Sequence, residues 1–138
     1  MTWNKKARFD GSQQTFPKLM RDHGYETALI GKWHLGTTPT GFDYFDVMSG
    51  QGKYYNPSLN RGDIEGVQET RTVKGHNSNV VADLSIDWLK NGRDKEKPFL
   101  LMAQFKATHH GWAPAPEEYE LYDEVVVPEP DNLFDDFS

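Results

Sequence analysis

Cysteine is absent from these 138 residues, which excludes a disulfide framework and any thiolate-bound zinc centre. Long apolar runs are missing too. No stretch approaches 18 consecutive apolar residues, so no membrane span is expected. Met1 to Asp10 is polar and lacks the apolar centre of a secretion signal. Either the protein is cytoplasmic or a targeting segment lies outside the chain. There is no excess of basic residues: 15 Lys and Arg stand against 21 Asp and Glu, for a formal net charge of -6. Sequence-independent nucleic-acid binding needs a basic face, so a nucleic-acid partner is not expected. No run of five like charges marks an interaction tail, and neither an internal repeat nor a low-complexity tract is found. What remains is 36% hydrophobic and 13% aromatic, enough to build a core and to exclude outright disorder.

The local patterns alternate between two periods. Thr15 to Asp22 predicts a helix, with Thr15 as cap, Pro17 in the first turn and His23-Gly24 as its end. Phe16, Leu19 and Met20 give it one apolar face. Thr27 to Ile30 is a short, continuously apolar run and predicts a buried parallel strand that stops at Gly31. Leu35 to Asn60 reads as a long loop, with a short strand near Phe42 to Val47. Loops of that length in compact domains are usually functional or mobile. Gln68 to Val73 reads as a strand or hairpin arm. Ser78 to Asn91 predicts a helix with Val81, Leu84 and Trp88 on one face and Asn91-Gly92 as its stop. Pro98 to Phe105 reads as a second, nearly continuously apolar strand. The tail from Ala113 is rich in proline and acids, and a short helix is expected near Glu117 to Tyr122. Helix, strand, loop, helix, strand argues for an α/β fold with a parallel sheet. Two strands cannot form a sheet covered on both faces, so an incomplete domain is expected.

In open α/β sheets ligands bind beyond the carboxyl ends of the strands. Lys32 and His34 follow the first predicted strand; Lys106, His109 and His110 follow the second. If the strands are parallel neighbours, both clusters face one rim. In extended chain Lys32 and His34 point to one side and Trp33 to the other. A lysine supplies fixed charge and three donors, and a histidine a donor or a proton. Together they suit a tetrahedral oxyanion, with His109 as a further donor. The plain alternative is a solvated loop, since Lys-x-His is a common surface pattern. Adjacent histidines in a strand point to opposite faces, which is poor chelating geometry for zinc. Gly50-Gln51-Gly52-Lys53 lacks the spacing of a phosphate-binding loop and reads as a flexible substrate-side loop. The acids from Asp123 to Asp136 read as a solvated or interdomain face.

Thirteen residues, Gly24-Tyr25-Glu26-Thr27-Ala28-Leu29-Ile30-Gly31-Lys32-Trp33-His34-Leu35-Gly36, closely resemble the second diagnostic motif of type I sulfatases, members of the alkaline-phosphatase-like superfamily. The resemblance continues in family order. Arg8 to Leu19 is similar to the segment before that motif. Gly41 to Phe45, Gly50 to Gly52 and Tyr54 to Pro57 are similar to the loop after it. Pro98 to Leu101, Phe105 to His109 and Trp112 are similar to a later strand and its histidine.

The resemblance implies a partial alkaline-phosphatase-like sandwich, with a mostly parallel sheet and flanking helices, incomplete at both ends. Residues 1–138 would be part of a sulfatase N-terminal catalytic domain. The implied activity is hydrolysis of a sulfate ester, on a small molecule or more specifically a sulfated glycan. Lys32 matches a lysine that contacts the catalytic formylglycine and the sulfate, and His34 a histidine that hydrogen-bonds the formylglycine hydrate. His109 matches a histidine that contacts the ester and protonates the leaving alcohol, although Thr108 stands where the family usually has proline. Gln51 falls near a position that lines the sulfate pocket in some members. The implied cofactors are formylglycine, made from Cys or Ser, and a calcium ion acting as a Lewis acid. Neither has its site in this chain. The Cys/Ser-x-Pro/Ala-x-Arg nucleophile motif and the paired aspartates are absent, and the later metal pair and second lysine would lie beyond Ser138. No metal ligand is therefore assigned here, and the isolated chain is expected to be inactive. Exported members of the family imply a periplasmic or extracellular location. The competing readings are a phosphodiesterase or phosphonate hydrolase of the same superfamily, and an inactive gene remnant.

Overall fold

In a computed structural model, residues 8–135 are described. The element order is α1 (Phe16–Asp22), β1 (Glu26–Trp33), β2 (Tyr44–Ser49), β3 (Ser58–Asp63), β4 (Gly66–Thr72), α2 (Asn77–Asp87) and β5 (Phe99–Gln104). The strands form one sheet in the order β4-β3-β2-β1-β5. β1 pairs in parallel with both β2 and β5. β3 and β4 continue the sheet as antiparallel strands. The sheet is thus mixed rather than mostly parallel. The hairpin explains why: β3 and β4 are separated by two residues, and so tight a connection permits only antiparallel pairing.

β1 is an interior strand and is buried through Thr27 to Gly31 and again at Trp33. It runs two residues past the predicted stop at Gly31. Gly31 has φ +112°, and a Cβ there would lie 2.0 Å from the Gln104 carbonyl oxygen on β5. Glycine here lets two backbones approach and the strand continue; it does not end it. The alternation of β1 then sorts the core. Ala28 and Ile30 pack with Met48, Leu59, Val80, Val81 and Trp88 on the side covered by α2. Leu29 and Trp33 pack with Phe42, Phe45 and Val47 on the other.

Polar groups pin the edges. Asp43 accepts from the Thr27 amide at 3.0 Å and from Arg21 Nε of α1 at 2.8 Å. Asp46 is fully buried and held by both terminal nitrogens of Arg71, at 3.1 and 2.5 Å. α1 begins at Thr15 as expected, but the Thr15 hydroxyl makes no capping bond. α2 begins one residue before the predicted start and closes in a π-helical turn from Trp88 to Gly92. In the tail only a short 3₁₀ turn, Pro116–Glu118, forms at the expected helix. Within the expected long loop lie β2 and the first residues of β3.

Candidate active site

The three parallel strands lie side by side as β2-β1-β5 and deliver polar side chains to one rim. Lys32 is the penultimate residue of β1, Gln51 lies two residues after β2, and Lys106 lies two residues after β5. Lys32 Nζ donates to Gln51 Oε1 at 2.7 Å. Lys106 Nζ donates to the Gln51 backbone carbonyl at 3.1 Å. One glutamine therefore ties two ammonium groups together. Gly52 supports this turn: its φ is +64°, and a Cβ would meet Met48 Sδ at 2.9 Å.

Lys106 is buried, with its Nζ 4.8 Å from the centre of the Tyr54 ring. Stacking on a ring offsets part of the cost of desolvating a cation. The Lys32 ammonium is held below the usual lysine range, first by burial and then by the charge of Lys106. An anion seated between the two would relieve both effects. The cluster has excess positive charge and free N–H donors, which is what an oxyanion requires.

His109 reaches this cluster through its backbone: its carbonyl accepts from the Tyr54 hydroxyl at 2.6 Å. Its half-exposed ring lies 4.3 Å, centre to centre, from that of His110. The two rings are neighbours because residues 109–111 form a bend rather than a strand, so the expectation of opposed side chains does not hold. His34 is exposed, one residue past β1. With Lys32 it borders a cavity of about 630 Å³ walled by Trp33, Phe42, Met102 and Phe105. The structure thus joins Lys32 to Gln51 directly, brings the His109 loop to the same cluster, and leaves His34 at the mouth of the apolar cavity. Lys106 and Tyr54 are the members to which sequence reasoning assigned no role. The signal for Lys106 was its place just beyond β5.

No group of three or more His, Asp or Glu residues among the described residues could hold a metal ion, and the chain has no cysteine.

Two ammonium groups held together at the carboxyl ends of parallel strands in a mixed α/β sheet could seat a tetrahedral oxyanion, as in enzymes that act on sulfate or phosphate groups. Residues 4–132 match the Sulfatase family model, and the chain belongs to the sulfatase family. It is 45% identical to an N-acetylglucosamine-6-O-sulfatase of Bacteroides thetaiotaomicron, over 96% of this chain and 23% of that one. It is 28% identical to the human N-acetylglucosamine-6-sulfatase, over 86% of this chain and 23% of that one. The solved structure of BT4656 in complex with its substrate D-glucosamine-2-N,6-O-disulfate superposes with a TM-score of 0.84 at 43% identity, over 99% of this chain and 27% of that one. The chain therefore spans about a quarter of the length of these relatives, and its fold is that of the corresponding part of the alkaline-phosphatase-like sandwich.

Proposed function

We propose that this chain supplies one wall of the sulfate site in an enzyme that hydrolyses a sulfate ester on an amino sugar, 6-O-sulfated N-acetylglucosamine being the leading substrate. The observation that carries this reading is the pair Lys32 and Lys106, tied through Gln51 at the carboxyl ends of three adjacent parallel strands. The amino-sugar assignment draws support from the Bacteroides and human relatives and from the glucosamine disulfate bound to BT4656.

In this reading Lys32 and Lys106 neutralise the sulfate oxygens. Gln51 holds the two ammonium groups at a fixed separation, so no reorganisation is needed as charge develops. His109 gives a proton to the departing sugar oxygen, and His34 orients the nucleophile. The nucleophile and its activating calcium belong to sequence outside residues 1–138; when bound, calcium supplies Lewis-acid polarisation of the sulfate.

The test is turnover by the full-length gene product that carries this sequence. It is expected to release sulfate from 6-O-sulfated N-acetylglucosamine and to leave the 6-phosphate and phosphodiesters essentially untouched. Preferential phosphate or phosphonate turnover would overturn the proposal in favour of another activity of the superfamily.

A further inference from the structure

His76 has so far no role. It is 6% exposed and sits between two tyrosines. The Tyr54 ring stacks on it at 5.9 Å and 20°, and the Tyr55 ring meets it edge-on at 5.2 Å and 69°. Its Nε2 lies 2.8 Å from the Ala113 carbonyl oxygen. A carbonyl can only accept, so Nε2 carries the proton. The same two tyrosines reach the same loop: the Tyr54 hydroxyl donates to His109 O at 2.6 Å and the Tyr55 hydroxyl to Pro114 O at 2.5 Å. Three donors thus meet three carbonyls of one segment, residues 109–114, which has no helix or strand of its own.

The donors rest on a firm base. Tyr55 and His76 form an antiparallel bridge. The Asn56 amide donates to Gly75 O at 2.9 Å and the Asn77 amide to Tyr54 O at 2.7 Å. Asn77 is fully buried at the start of α2. The clamp therefore transmits the position of α2 to the loop that bears His109.

We infer that Tyr54, Tyr55 and His76 are positioning residues that fix the 109–114 loop and so aim His109 at the departing group. This rests on the proton-donor role proposed for His109. It has a consequence that a purely structural clamp lacks. A misplaced acid slows departure of a poor leaving group, a sugar alkoxide, and spares an acidic phenol that needs no proton.

The test uses the full-length protein with two substrates, a 6-sulfated sugar and 4-nitrophenyl sulfate, and the variants His76→Phe, His76→Gln, Tyr55→Phe and His109→Ala. His76→Phe and Tyr55→Phe are expected to lower kcat on the sugar sulfate by about tenfold or more while changing kcat on the aryl sulfate little. His76→Gln, which offers an amide N–H near the place of Nε2, is expected to recover most of the loss. If His109→Ala is selective for the sugar sulfate but His76→Phe slows both substrates equally, or neither, the clamp is overturned. If His109→Ala is itself unselective, the role given to His109 fails. The clamp then stands or falls on amide hydrogen exchange of residues 109–113: faster exchange in His76→Phe supports it, and unchanged exchange overturns it.

Discussion

Lys32 shows how much one residue can carry and what it costs the fold. Burial and the nearby Lys106 both disfavour its charge, so it is kept against its own electrostatics. Below its lowered pKa the folded protein bears this penalty in full; the penalty fades as pH rises from that lowered pKa toward 10.5, and is gone above it, where the unfolded lysine has lost its proton too. At neutral pH Lys32→Met is therefore expected to leave the thermal midpoint unchanged or raise it. The same variant should weaken binding of inorganic sulfate about tenfold to a hundredfold by calorimetry, the worth of one charge-assisted hydrogen bond. Wild-type sulfate affinity should fall as pH rises through the pKa of Lys32, since only the ammonium form binds. Of this site, Lys32 and the His109 loop were legible as polar residues following apolar runs. The bond from Lys32 to Gln51 was not, because it joins residues 19 apart across a turn whose shape depends on Gly52. Lys106 was visible but unassigned, since its value lies in the tyrosine ring it rests on.

At the scale of elements, β1 could be read directly because a strand buried on both faces is continuously apolar, and β5 because its apolar run is equally continuous, although it is a half-exposed edge strand. β3 could not: Ser-Leu-Asn-Arg-Gly-Asp has the composition of a loop. It is a strand because it lies between β2 and β4 in the sheet, with Leu59 and Gly62 as its buried positions. Tertiary pairing overrode propensity there. Gly31 was misread as a strand end because its signal is the same for a stop and for close backbone approach. Gly31→Ala is expected to destabilise the fold by about 3 kcal/mol or more in urea titration, since both the positive φ and the 2.0 Å approach to Gln104 must be relieved. The pair of Asp46 and Arg71 adds a pH signature through its neighbour Tyr44. Burial, and then the charge of Asp46, push the Tyr44 phenol up from 10.0 to about 12. Between those values the folded state holds a proton that the unfolded state has released, so stability falls as pH rises. Tyr44→Phe should flatten that fall in alkaline unfolding curves.

For the molecule as a whole, the chain spans 23% of its curated Bacteroides relative, yet it forms a five-stranded sheet with a buried core on each face. In the proposed reading it contributes the anion-binding side of the site. Because no described cluster of acids and histidines could take a metal ion, EDTA is expected to leave the thermal midpoint of the 138-residue chain unchanged; a drop would reveal a calcium site within it. In the proposed reading, Lys32, at the carboxyl end of β1, contacts the sulfate of the substrate. The most direct measurement is sulfate release from 6-O-sulfated N-acetylglucosamine by the full-length protein and its Lys32→Ala variant. A loss of about a hundredfold or more in kcat/KM is expected, the scale of removing one preorganised charge donor from an oxyanion site. Equal rates for the two proteins would contradict the account.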